Sequence, residues 1–234
     1  AKQIAASGKL VGAILPAGDS DFYYVDVARS GEWTIENVAK PDGMELGLGV
    51  RDAAGGNWFT DRSPPGDGKL VVDLRRPGKY ILRAVEKNKA RSVDPYVLDL
   101  KFIASPDRHE PNASAATAAT INPSGAIVGT ILPLKDADFY AIDAPQAGEW
   151  SITVADAPKG MKIGLNVRAA AGGNWLADNT PKGDDKLVVD LKRPGQYVLR
   201  ATDTNGVRSV EPYKLDLVMT PAPDTHEPND SAGL

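Results

Sequence analysis

The sequence predicts an all-β protein: two tandem antiparallel β-sandwich modules of jelly-roll or Greek-key type, joined by an extended linker. Three observations predict it. The chain repeats itself with a period of 117 residues. Apolar and polar residues alternate with period two, the mark of half-buried strands. Gly, Pro and Asp turns separate these alternating runs, and no segment carries a helical stripe.

The repeat is read directly. GEW ends at Trp33 and Trp150, AGGNW at Trp58 and Trp175, KLVVDL at Leu74 and Leu191, and HEPN at Asn112 and Asn229. No insertion or deletion interrupts the register, so each copy has the size of an ordinary domain. The expected organisation is a first module over 1–103, a linker with the HEPN motif over 104–117, a second module over 118–220, and a tail over 221–234 that opens a further repeat. The period divides the 234 residues without remainder. The simplest expectation is therefore a piece of a longer array cut at a repeat boundary.

Within the first copy the strand candidates run in order KLVGAIL, DFYYVDV, GEWTIENV, MELGLGVR, KLVVDL, KYILRAV and YVLDLKF. In the last, Tyr96, Leu98, Leu100 and Phe102 share one face while Val97, Asp99 and Lys101 share the other. In MELGLGVR, Met44, Leu46, Leu48 and Val50 face together, opposite Glu45, Gly47, Gly49 and Arg51. Those outward glycines leave backbone approachable by a flat partner, or mark a bulge. Trp33 and Trp150 alternate with Ile35 and Ile152 and read as core. The linker segments, rich in Pro, Ala, Ser, Thr and Asx, are expected to run extended on the surface.

Composition excludes several function classes. With 27 basic and 31 acidic residues the net charge is −4, the wrong sign for an electrostatic nucleic-acid binder. No apolar run approaches the roughly 20 residues of a membrane helix, so no membrane insertion is expected. The absence of cysteine removes disulfides, thiolate catalysis and Cys-based zinc sites. Two histidines argue against a His-rich metal centre or a His relay; His109 and His226 read as exposed linker residues. Nothing matches GxSxG, HExxH, a P-loop or a dinucleotide fingerprint. Asp-x-Asp on one strand puts both side chains on one face, which suits chelation better than flanking a glycosidic bond. The chain is therefore expected not to be an enzyme.

His109-Glu110-Pro111-Asn112, Gly129-Thr130-Ile131-Leu132-Pro133, Asp136-Ala137-Asp138-Phe139-Tyr140 and Gly148-Glu149-Trp150 stand in an order that resembles the bacterial pre-peptidase C-terminal domain family. That family includes the collagen-binding domains of clostridial collagenases, and the resemblance covers nearly all of each copy. It implies a non-catalytic jelly-roll module of secreted or cell-surface proteins. In some members such modules bind calcium, and in some they bind protein fibres or polysaccharide. Carried over, Glu110 and Asn112 would meet Asp136 and Asp138 around a calcium ion, a donor set of the oxygen type calcium takes. Ala113 departs from the pattern, since the second linker has Asp230 there. The first copy has Asp19 and Asp21 without an upstream acidic segment, and the tail has Glu227, Asn229 and Asp230 without a following module. These complementary halves suggest head-to-tail docking between copies or repeats. The alternative for each Asp-x-Asp pair is a turn cap without an ion.

Trp58 and Trp175, beside a double glycine, are candidate ligand-binding platforms; otherwise they fold over the sandwich end. Two functions follow as expectations. One is a structural repeat of an extracellular array or filament, stiffened by calcium. The other is an accessory module holding a secreted hydrolase or adhesin on collagen-like protein or polysaccharide.

Overall fold

The computed structural model describes residues 1–59, 68–177 and 185–223. Two compact units divide the chain, Ala1–Ala104 and Ser105–Leu234. In the first, eight strands follow one another: β1 (Lys2–Gln3), β2 (Gly8–Gly12), β3 (Ser20–Val27), β4 (Gly31–Ala39), β5 (Leu46–Asp52), β6 (Lys69–Leu74), β7 (Gly78–Glu86) and β8 (Tyr96–Ala104). They form two four-stranded sheets, ordered β1-β3-β7-β5 and β2-β8-β4-β6. Each strand lies in the opposite sheet from its predecessor, so every connection crosses the sandwich, as in a jelly roll. All pairings are antiparallel except β1 on β3, where Lys2 stands opposite Tyr23.

Alternation decides what fills the space between the sheets. Val25 and Val27 from β3, Val50 from β5, and Tyr80, Leu82 and Ala84 from β7 meet Trp33, Ile35, Leu70, Val72 and Leu98 from the other sheet. A bulge between Asn37 and Ala39 opposite β8 breaks the alternation in β4 and leaves Val38 exposed. The first predicted strand, KLVGAIL, ends early, at Gly12, although Ile14 is still buried. The seven predicted strands are all present; β1 was not predicted.

The second unit repeats the plan with β9 (Ala119–Thr120), β10 (Gly125–Gly129), β11 (Ala137–Ala144), β12 (Gly148–Asp156), β13 (Ile163–Ala169), β14 (Lys186–Leu191), β15 (Gly195–Asp203) and β16 (Tyr213–Pro221). Its sheets run β9-β11-β15-β13 and β10-β16-β12-β14. Its core is separate and is built around Trp150, Ile152, Tyr140, Tyr197, Leu199 and Leu215. Trp150 donates from Nε1 to the Pro123 carbonyl at 2.8 Å, as Trp33 does to Ala6 at 2.8 Å. A large apolar side chain thus also anchors the segment leading into the sandwich.

Residues 105–117, expected as an extended surface linker, instead fold onto the second unit. Ser105, Asp107 and Asn112 are buried. A 3-10 turn over Ala115–Thr117 then delivers the chain to β9. Polar residues tolerate that burial where they take up backbone hydrogen-bonding groups, as the side chains of Ser105 and Asp107 do.

Candidate metal centre

The strap formed by 105–117 is held by its own polar side chains. The Ser105 hydroxyl lies 2.9 Å from that of Thr130 and accepts from Asp107 N–H at 3.0 Å. Asp107 accepts from His109 N–H at 2.7 Å and from Thr130 N–H at 3.2 Å. Asn112 offers its carbonyl to Phe139 N–H at 2.9 Å, splicing the strap against the start of β11. His109 packs edge-on against Tyr140 with ring centroids 5.4 Å apart, half-buried rather than solvated as expected.

The strap carries its acids to the end of β11. Oxygens of Asp107, Glu110 and Asp138 lie within 4.8 Å of one another. Asp136 sits beside Glu110 and caps Ala137 N–H at 3.0 Å. Below them, Tyr213 donates to Asp138 Oδ2 at 2.5 Å, which leaves Tyr140 to donate to the Tyr213 hydroxyl at 2.8 Å. The other oxygen of Asp138, Oδ1, and both the amide oxygen and the amide nitrogen of the Asn112 side chain are buried with no protein partner among the described residues.

Burial and mutual repulsion disturb these acids. Glu110 is pushed up to about 7, by desolvation first and then by the charges of Asp136 and Asp107. Asp138 is held well above the usual carboxylate range by desolvation, against the opposing Tyr213 hydrogen bond. Asp107 is raised by desolvation as well. Tyr140 and Tyr213 are raised, chiefly by desolvation and the Asp138 charge. Like charges brought together out of water favour either protons or a cation.

A methyl group at Gly129 would overlap the Tyr213 and Tyr140 hydroxyls. Gly129→Ala is accordingly expected to cost about 1–3 kcal/mol by overpacking and to displace Asp138. A lowered thermal midpoint of the purified variant checks this.

The structure brings Glu110, Asn112, Asp136 and Asp138 together and adds Asp107, which motif reading missed. The signal existed, since Asp107 recurs as Asp224 at the repeat period. Ala113 is exposed. In the first unit the floor is the same: Tyr96 donates to Asp21 Oδ2 at 2.6 Å, the Tyr23 and Tyr96 hydroxyls are 2.9 Å apart, and Asp19 caps Ser20 at 2.8 Å. No strap lies over it among the described residues. Leu15 there is 47% exposed, whereas its counterpart Leu132 is 2% exposed. Glu227, Asn229 and Asp230, with His226, lie outside the described residues.

Trp58 and Trp175 stand apart from the acids. Each lies on the outer face of its sheet with the guanidinium carbons of two arginines within 5.0 Å of its ring centre. Trp58 covers Gly49, so the outward glycine is not open to a partner.

The fold and site define a tandem of β-sandwich modules, the second fitted with an acidic strap. Among solved structures the chain is similar to the pre-peptidase C-terminal domain of a collagenase from Bacillus anthracis. Identity is 16% and the TM-score 0.34, over 43% of this chain and 93% of that one. It is also similar to the CUB1-EGF-CUB2 domains of rat MASP-1, at 9% identity and TM-score 0.29 over 92% and 98% of the two chains. A third similarity is to the full extracellular region of zebrafish Gpr126/Adgrg6, at 10% identity and TM-score 0.30 over 92% of this chain and 36% of that one. No family model and no curated protein matches the chain. Among the described residues no helix is long and apolar enough to cross a membrane.

Proposed function

We propose that this chain is a non-catalytic structural segment of a secreted or cell-surface bacterial protein, in which an acidic strap is clamped by calcium onto the module that follows it. Successive clamps would stiffen repeats into a head-to-tail array. The observation that carries the reading is the cluster of Asp107, Glu110 and Asp138, two of them buried, with Asp138 Oδ1 unpartnered among the described residues and the Asn112 N–H bonded to Glu110 at 3.2 Å. Carboxylates and an amide oxygen are hard donors of the kind Ca²⁺ takes six to eight at a time. Asp107, Glu110, Asn112 and Asp138, with Asp136 beside them, would hold the ion. It would supply the positive charge that the buried acids lack.

Each residue of the strap has a distinct part. Ser105 and Asp107 tie its start to Thr130, Asn112 ties its end to Phe139, and Glu110 closes over the Asp pair. Without a counter-charge, repulsion among the acids works against these bonds; with one, strap and module become a single unit. The uncovered Asp19/Asp21 floor of the first module, with Leu15 and Phe22 exposed beside it, suits a strap of the same pattern from another repeat or another copy.

Calcium is expected to raise the unfolding midpoint of the second module by about 10 °C when present at roughly a hundredfold over its dissociation constant. Asp138→Asn and Asn112→Ala should remove that rise. Particle mass should grow with concentration only in calcium, and not for Asp19→Ala/Asp21→Ala. Equal midpoints in calcium and chelator would overturn the clamp; equal particle mass would overturn the array alone.

A further inference from the structure

We propose that each module carries a binding site for an acidic polysaccharide, formed by a tryptophan and two arginines on the outer face of one sheet. In the first module the segment after β5 returns along that edge strand, with Phe59 N–H bonded to the Val50 carbonyl at 2.7 Å. The return lays Trp58 over Gly49, where a Cβ would stand 3.1 Å from the indole. Arg51, two residues on, and Arg83, opposite Gly49 on β7, bring their guanidinium carbons to 4.9 and 4.6 Å from the ring centre. The second module repeats the arrangement. Leu176 N–H bonds the Val167 carbonyl at 2.7 Å, and Arg168 and Arg200 lie 5.0 and 4.7 Å from the Trp175 ring centre.

Among the described residues no acid answers this charge in either copy. None of the four arginines meets a carboxylate among the described residues, and the Nε of all four is buried without a partner. Among the described residues Arg200 bonds the neutral Asn166, at 2.8 Å. Elsewhere in the first module Arg76 pairs with Asp52 and Lys87 with Glu45. Two cations gathered on one indole repel each other, and an anion placed between them relieves that repulsion. A guanidinium offers a carboxylate two parallel N–H donors; with Nε buried in all four arginines, the terminal nitrogens would supply them.

The indole selects among anions. It offers an apolar edge and face to C–H groups beside the charge, and Trp175 is 36% exposed. A uronic acid unites a carboxylate and a C–H face on one ring. Two similar sites on one chain, differing in Asn166 where the first has Gly49, suit a ligand that itself repeats, because the second contact is then made at high effective concentration. The net charge of −4 opposes nucleic acids and acidic polysaccharides alike at long range, so recognition rests on the local pair of arginines and the indole. None of these residues belongs to the cation clamp, so the two proposals stand or fall separately.

The test is titration of the full chain with hyaluronan in chelator, read by tryptophan fluorescence. Trp33 and Trp150 are fully buried in the cores, so a ligand-dependent change reports Trp58 and Trp175. A saturable change is expected with hyaluronan, weakened by salt, with none for neutral dextran. Arg83→Gln/Arg200→Gln should lower the affinity about tenfold or more with the circular dichroism spectrum unchanged. No change with hyaluronan, or an equal response to dextran, would overturn the proposal. Equally tight binding of poly-L-glutamate would overturn the polysaccharide assignment in favour of an acidic protein. The wild-type titration decides even where the variant misfolds.

Discussion

Replacing Trp150 by alanine is expected to destabilise the second module by about 3–5 kcal/mol, a large share of the roughly 5–15 kcal/mol that holds a domain folded. The reason lies in its position. Trp150 is fully buried on β12, which is paired on both sides, with Val189 opposite on β14 and Met219 opposite on β16. Truncation would open a cavity between the sheets that paired neighbours cannot collapse into. It would also remove the donor of the Pro123 carbonyl and loosen the entry to β10. Trp150→Phe keeps most of the volume and loses the hydrogen bond, so its cost should be clearly smaller. Trp33→Ala should do to the first module what Trp150→Ala does to the second, since each has its own core. Calorimetry of the three variants checks the order; a Trp150→Ala chain melting like the parent would mean the ring is not the centre of that core.

The same tryptophans show why the fold was legible. Trp33 and Ile35, or Tyr96, Leu98 and Leu100, sit two apart, and period two survives in any context where one face is buried. The duplication doubled each signal. What escaped were features made by pairing across the chain. β1 is two residues long, exposed and without alternation, and it exists because its backbone finds β3. The Arg-Trp-Arg stack needs the β5–β7 register and a returning segment, so Arg83 could not be assigned to Trp58 from spacing. Glu110, Asn112, Asp136 and Asp138 were grouped through a resemblance of motifs. Asp107 looked like one more polar linker residue, because linker composition does not reveal that its carboxylate caps Thr130 N–H.

In chelator, the second module is expected to lose stability as pH rises from about 4.5 to about 7, and calcium is expected to reverse that loss. Glu110 titrates near 7 in the folded protein, against an ordinary value of 4.5. Between those values the folded state binds more protons than the unfolded one, so stability falls as pH rises, and the loss is complete above about 7. The full shift corresponds to about 3 kcal/mol, which solvent screening of the partly exposed Glu110 reduces to roughly 2 kcal/mol. Asp107 and Asp138, also raised, act with the same sign; Asp136 adds repulsion, and His109, the basic group nearby, lowers Asp107 only against its larger desolvation. Calcium binds the deprotonated acids, so its effect should be small at pH 5 and largest at pH 8. Glu110→Gln separates the causes. Losing a buried charge, it should be more stable than the parent at pH 8 in chelator; losing a ligand, it should be less stable than the parent at pH 8 in calcium. Thermal midpoints at pH 5 and 8, with and without calcium, read all four cases. A change of the same sign in both solutions at pH 8 would show that Glu110 acts as a packing residue, not as part of a cation clamp.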